Sequence, residues 1–211
     1  MKHHEIEQNT PEWLKLRAGK ITGSAVKAIM VVPRSGVFNQ QAQDYAYNII
    51  TEQETGLSLA DLYPMTSMDM QRGHDEEPIA RALYEEMTFS TVEDGGFFED
   101  GILGCSPDGL VGDDGVIEIK APRPHKHLPF KLKDTYNPDY KWQLAFNLKV
   151  SDREWIDYIS YCSAFPVESE NQIHIKRLTK DDFKKEFEKI DERIELFVNF
   201  MEEIKQGLKA A

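Results

Sequence analysis

The chain has 211 residues, a net charge of −12, 40% hydrophobic and 29% charged residues. That length supports one α/β domain with a sizeable core, and the balance is that of a soluble globular protein. No apolar run reaches membrane-span length, and the polar opening MKHHEIEQNT is no secretory signal. Two cysteines, Cys105 and Cys162, exclude a disulfide framework, a four-cysteine zinc site and a four-cysteine iron–sulfur cluster, and they favour a reducing cytoplasm. The acidic balance weighs against nucleic-acid binding, since phosphates call for Lys and Arg. A locally basic channel beside metal-binding carboxylates would answer that objection, because divalent ions reverse the local potential.

In chain order, Thr10-Pro11-Glu12 opens a short helix through Trp13 and Arg17 that Gly19 ends. A second helix is expected near Ala25 to Met30, with Ser24 as its cap; on local grounds Ser24 is only that cap and Arg17 only a surface charge. Residues 39–59 carry Ala42, Ala46, Ile49 and Ile50 at helical spacing, and an irregular stretch follows around 60–67. A helical stretch from about 69 to 87 contains Asp75-Glu76-Glu77, an acidic cluster of the kind that often starts a helix, and Pro78, which would kink the helix or mark its start. Ser90 to Val92 and Gly96 to Phe98 read as strands of a meander.

The most informative stretch is Gly104 to Lys120, GCSPDGLVGDDGVIEIK. Two short strands flank a Ser-Pro-Asp-Gly turn, and Gly112-Asp113-Asp114-Gly115 reverses the chain again. Val116 to Lys120 then alternates, with Glu118 and Lys120 on one face and Ile117 and Ile119 on the other. Asp108 at the turn, Glu118 on the strand and Lys120 beside it make a candidate cation and phosphate site, because hard divalent ions take oxygen ligands. The competing reading is an Asx turn beside a solvated strand face.

After Lys120 the chain holds three prolines and a basic run of Arg123, Lys126, Lys131 and Lys133, with His125 and His127. This loop either holds a DNA backbone or is simply solvated. Pro138 to Val150 is a helix that sets Tyr140 and Gln143 on one side. Trp155 to Tyr161 and Ile173 to Arg177 are strands. A helix over about 181–205 steps Phe183, Phe187, Ile190, Ile194, Phe197, Met201 and Ile204 along one stripe, expected to pack on the protein's own sheet. No linker divides the chain, so a single domain over 1–211 is expected.

Five motifs then appear in order: R-x6-S at Arg17 and Ser24; R-G-x-x-x-E at Arg72, Gly73 and Glu77, followed by Ala80; S-P-D-G at Ser106 to Gly109; E-x-K at Glu118 and Lys120; and Y-x-x-Q at Tyr140 and Gln143. Together they resemble the lambda exonuclease and YqaJ-type viral recombinase family of the PD-(D/E)xK nuclease superfamily, from Trp13 to about Val150. The resemblance implies a restriction-endonuclease-like α/β core, a central mixed sheet flanked by helices. It implies a Mg²⁺-dependent 5′-to-3′ exonuclease that digests one strand of linear double-stranded DNA and leaves 3′ tails for recombination by annealing.

By the same resemblance Asp108 and Glu118, with the carbonyl of Ile119, would bind Mg²⁺ or Mn²⁺. Glu77 would support a second ion, Lys120 would orient the attacking water with help from Gln143, and Arg17, Ser24 and Ser106 would hold the 5′ phosphate. A ring-shaped homotrimer, a single-strand annealing partner and a phage or prophage origin in a bacterial host are implied likewise. The alternatives are a monomeric restriction-type endonuclease and a DNA-end-binding protein with a degenerate site.

Overall fold

The computed structural model describes residues 1–64, 67–167 and 169–210. Strand β1 (Lys2–His4) is followed by helix α1 (Pro11–Arg17), whose cap Thr10 accepts from the Trp13 backbone N–H at 3.3 Å. Strand β2 (Ile21–Thr22) leads through a turn to α2 (Lys27–Met30). The second helix is thus shorter than expected, and Ser24 does not cap it: Val26 holds that position without a side-chain bond. Helix α3 (Gln40–Thr55) is closed by Gly56 in the left-handed region, and α4 (Leu59–Leu62) occupies part of the stretch expected to be irregular. Met65 and Thr66, also in that stretch, lie outside the described residues.

Helix α5 (Met68–Thr88) runs unbroken through Pro78. The ring removes the bond to the His74 carbonyl, but His74 and Pro78 are both exposed, so water can satisfy that oxygen. Strands β3 (Val92–Glu93), β4 (Phe97–Asp100), β5 (Leu103–Cys105), β6 (Gly109–Val111) and β7 (Gly115–Lys120) follow. The segment expected to stay irregular after Lys120 forms α6 (Pro124–Leu132), because Pro124 stands at the first helical position, where no N–H is needed. A 3₁₀ turn (Pro138–Tyr140) enters α7 (Lys141–Ser151); β8 (Trp155–Tyr161), β9 (Ile173–Thr179), a second 3₁₀ turn (Lys180–Phe183) and α8 (Lys184–Ala210) complete the chain.

The strands form two sheets. One has the order β1-β4-β5-β2, the other β3-β6-β7-β8-β9. The larger is mixed: β7 and β8 are parallel, with Glu118 opposite Tyr158, and the other pairs are antiparallel. The parallel pair needs a crossover, which α6 and α7 supply. β5 and β6 lie in different sheets, so Ser106 to Asp108 carries the chain from one sheet to the other instead of closing a hairpin.

Each face of β7 meets a different core. Ile117 and Ile119 join Ala80 and Tyr84 of α5. Val116 joins Leu144 and Leu148 of α7, Ile49 of α3, and Ile190, Phe197 and Met201 of α8. The stripe of α8 therefore packs on α2, α3 and α7 more than on a bare sheet. Gly115 sits where an added Cβ would come within 2.1 Å of the Trp155 ring, so the start of β7 closes directly on β8.

Candidate active site

The alternation of β7 sends Glu118 and Lys120 toward α7, and Glu118 is 1% exposed. It is no solvated strand charge: its carboxylate lies inside the protein, where an unpaired charge would be prohibitive. Three donors meet it. Lys120 Nζ and Gln143 Nε2, the latter at 2.5 Å, donate to Oε1, and Asn147 Nδ2 donates to Oε2 at 2.7 Å. Gln143 and Asn147 are four apart, so one face of α7 presents both amides to the two edges of Glu118.

Asp108 follows the crossing between the sheets and is held by its own surroundings. Its backbone N–H donates to the Ile117 carbonyl at 3.0 Å, and its Oδ2 accepts from the Ile119 N–H at 2.6 Å. The turn is braced from the N-terminal side. Trp13 Nε1 donates to Ser106 Oγ at 2.8 Å, and Gln8 Nε2 donates to the Pro107 carbonyl at 2.8 Å.

Glu77 reaches the same place from α5. It lines a cleft of about 710 Å³ with Asp108, Ile119, Lys120 and Tyr140. Its neighbour Glu76 turns away, is buried, and accepts from Ser163 Oγ at 2.5 Å. One helical step separates a structural glutamate from a cleft glutamate.

The electrostatics show more negative charge than the protein itself neutralises. Burial and then Asp108 push the Glu77 carboxyl from 4.5 up to about 7, against Lys120 and Arg81. Burial and Asp108 likewise push Glu118 up to about 7. Burial raises Asp108 too, opposed by Lys120, the Ile119 N–H and Arg81. For the Lys120 ammonium burial is outweighed by Glu118 and Asp108, which keep it charged. Three carboxylates thus share Lys120, with Arg81 also acting on Glu77 and Asp108.

That donor set fits a hard divalent cation, which takes carboxylate and carbonyl oxygens together with water. Among the described residues no three Asp, Glu, His or Cys side chains already form a closed cage. The reason is visible in the geometry: the Oε1 edge of Glu118 is occupied by Lys120 and Gln143, and Glu118 stands behind Lys120 relative to the cleft. A cation reaching Glu118 requires Lys120 to turn off it. Asp108 and Glu77 already face the cleft.

The rim is basic. Arg72, Lys120, Arg123 and Lys126 line the cleft with His74 and His125. Arg72 donates to Asp69 at 2.6 Å and to the Ala121 carbonyl at 2.9 Å, tying α5 to the segment after β7; Arg123 donates to the same Asp69 at 3.1 Å. The basic run divides in function. His127 is buried between Ser160 Oγ at 2.7 Å and the Asn171 carbonyl at 2.8 Å, and Lys131 donates to the Ile173 carbonyl at 2.8 Å. Those two hold α6 to the sheet, while Arg123, His125 and Lys126 face the cleft.

Arg17, Ser24 and Ser106 are not gathered at one point. The Arg17 guanidinium lies over the Trp13 ring at 4.1 Å, in a recess of about 210 Å³ with Tyr45 and Glu52. Glu52 is already committed to the backbone N–H groups of Gly19 and Leu59, at 2.7 and 2.9 Å. Ser24 is exposed on an adjoining recess, and Tyr45 and Asn48 stand between the two, lining both. Ser106 is engaged by Trp13.

The sequence motifs alone miss Asn147 and give Tyr140 no role, although Lys120 Nζ lies 5.3 Å from the Tyr140 ring. The four-residue step from Gln143 to Asn147 is the signal that points to the second amide.

Comparison with known proteins places the fold. A YqaJ-like viral recombinase domain model matches residues 12–154. The alkaline exonuclease LHK-Exo from Laribacter hongkongensis is 30% identical with a TM-score of 0.80, covering 95% of this chain and 97% of that one. The structure of LHK-Exo in complex with dAMP is 29% identical with a TM-score of 0.77, covering 96% and 100%. A phage related exonuclease from Haemophilus somnus 129PT, 14% identical with a TM-score of 0.68 over 90% and 96% of the two chains, shares the fold. Comparison with curated protein sequences gave no significant match. With mixed sheets flanked by helices in the arrangement of the alkaline exonucleases, and with its motifs inside the matched span, the chain belongs to the YqaJ-like viral recombinase family.

Proposed function

We propose that the protein is a divalent-metal-dependent exonuclease that degrades one strand of linear duplex DNA from its 5′ end, leaving 3′ single-stranded tails for recombination by annealing. The observation that carries this reading is the convergence of Glu77, Asp108 and Glu118 around Lys120 at the base of a cleft with an arginine- and lysine-bearing rim. Its fold neighbours include the alkaline exonuclease LHK-Exo, one structure of which is a complex with dAMP, a mononucleotide of the kind an exonuclease releases.

Asp108, Glu118 and the Ile119 carbonyl would hold Mg²⁺ or Mn²⁺, and Glu77 would support a second ion. Such ions polarise a scissile phosphate and lower the pKa of water. Lys120, charged and freed from Glu118, orients the attacking water or faces the developing negative charge, and Gln143 keeps the Oε1 edge of Glu118 in place. Tyr140 borders the path of the Lys120 side chain. Arg72, Arg123 and Lys126 contact backbone phosphates, so a chain of net charge −12 meets DNA through a local basic rim. Arg17, its guanidinium stacked on Trp13, would receive the terminal 5′ phosphate, and Ser24 and Ser106 would close on it from their separate positions.

A ring-shaped homotrimer on the DNA, an annealing-protein partner and a phage-encoded role in the bacterial cytoplasm complete the reading. Among the described residues no helix is long and apolar enough to cross a membrane.

The test is digestion of linear duplex bearing 5′-phosphate or 5′-hydroxyl ends, with closed circular duplex alongside, with and without Mg²⁺. Mg²⁺-dependent loss of the 5′-phosphorylated linear strand is expected, with the circle intact. Cutting of the circle would move the protein to an endonuclease.

A further inference from the structure

Glu118 is held by three donors, and one of them, Asn147, is unusual in what it leaves undone. Asn147 is 1% exposed and its Nδ2 donates to Glu118 Oε2, yet its Oδ1 is buried with no hydrogen-bond partner among the described residues. A buried unpartnered amide oxygen costs free energy, and turning the amide over would set that oxygen against a carboxylate oxygen, which costs more. The amide is therefore locked in this orientation by Glu118.

The space behind it is closed by Gly23. A Cβ at Gly23 would stand 2.1 Å from Asn147 Oδ1 and 3.2 Å from its Cγ. Gly23 has no left-handed conformation to explain its identity, so the reason for glycine here is room for the Asn147 amide. The backbone carbonyl of Asn147 also accepts from the Cys105 thiol at 3.7 Å, fixing this turn of α7 to β5.

From this arrangement we infer that Asn147 is a positioning residue for the metal-dependent reaction: it clamps the Oε2 edge of Glu118, with Gly23 as its backstop, so that the Oε1 edge stays turned toward Lys120 and the cleft. Gln143 and Lys120 act on the edge that a cation would take; Asn147 acts on the opposite edge and keeps the carboxylate from rotating. The inference rests on the nuclease reading, and it gives this chain a second amide on the α7 face that the E-x-K and Y-x-x-Q motifs do not include.

The experiment measures Mn²⁺ binding by titration calorimetry on wild type, Asn147→Leu and Gly23→Ala, with the thermal midpoint of each metal-free protein and the Mg²⁺ concentration giving half-maximal digestion. Loss of a residue that orients a metal ligand lowers metal affinity by about 10- to 100-fold. Asn147→Leu is expected to weaken Mn²⁺ by that factor and to raise the half-maximal Mg²⁺ in proportion. Gly23→Ala, which displaces the amide without altering it, is expected to shift both in the same direction. A role confined to filling the core would lower the thermal midpoint and leave metal affinity unchanged. Should Asn147→Leu fail to fold, Gly23→Ala decides alone. Unchanged Mn²⁺ affinity in the folded variants overturns the inference and leaves the nuclease reading standing. A wild type that binds Mn²⁺ without cleaving DNA overturns the nuclease reading instead, and one that takes up no Mn²⁺ overturns both.

Discussion

The two ends of the proposed site are built by different means. At the carboxylate end, strand register and helix periodicity do the placing: β7 turns Glu118 and Lys120 inward together, α7 brings two amides one turn apart, and the Ile119 N–H fixes Asp108. At the phosphate end, Arg17 and Ser24 sit on a short helix and an exposed turn, in separate recesses divided by Tyr45 and Asn48. Regular elements deliver side chains to fixed points, because their backbone bonds leave few alternatives. The end of a short helix and an exposed turn hold their side chains less firmly, so Arg17 and Ser24 would have to come together around a ligand. The first end is therefore expected to set the rate, and the second to set which DNA ends are used.

The largest effect belongs to the carboxylate end. Lys120→Ala is expected to lower the digestion rate by roughly 10²- to 10⁴-fold, the range for a positioned proton-transfer or charge-stabilising group, with duplex binding retained. Single-turnover digestion alongside a binding titration checks both halves, and retained cleavage would remove Lys120 from the reaction.

The same end should leave a mark on stability. Glu77 and Glu118 each titrate at about 7 in the metal-free fold, raised from 4.5. Between those values the unfolded chain has released protons that the folded chain still holds, so metal-free stability falls as pH rises from about 4.5 to about 7. Glu118→Gln removes part of that slope. Thermal midpoints from pH 5 to 8 in a chelator are expected to fall less steeply in the variant than in wild type; parallel slopes would contradict the burial of an undercompensated Glu118.

A smaller effect is expected at the phosphate end. Arg17→Met should lower the preference for 5′-phosphorylated over 5′-hydroxyl ends by about tenfold, the worth of one charge-assisted contact, with the rate on 5′-hydroxyl ends little changed. A fall on both ends alike would make Arg17 a support for Trp13 and not a ligand of phosphate. The smallest concerns the rim: Arg123→Ala should weaken duplex binding a few-fold and reduce the salt dependence by about one phosphate contact.

Much of the carboxylate end is legible in the amino-acid order, for a physical reason. Alternation in VIEIK sorts Glu118 and Lys120 from the isoleucines, and an Asp-Gly turn marks Asp108. Helical spacing likewise finds α3, α5, α7 and α8 to within a few residues of their ends or a proline. The separation of β5 and β6 into two sheets is not legible, because pairing partners far apart in sequence leave no local signal. Nor is α6, where prolines read as breakers but Pro124 opens a helix. The burial of Glu118 is hidden as well: the residues that shield and bond it, Gln143 and Asn147, lie 25 and 29 positions away. His127 and Lys131 look like members of a basic loop and are tethers of α6, for the same reason.

The most direct measurement is a crystal structure of the Mn²⁺-soaked protein with anomalous scattering recorded at the manganese edge. A peak is expected among Asp108, Glu118 and the Ile119 carbonyl, with the Lys120 side chain turned away from Glu118. A peak elsewhere, or none while Lys120 still rests on Glu118, would contradict a metal-dependent site built on these carboxylates.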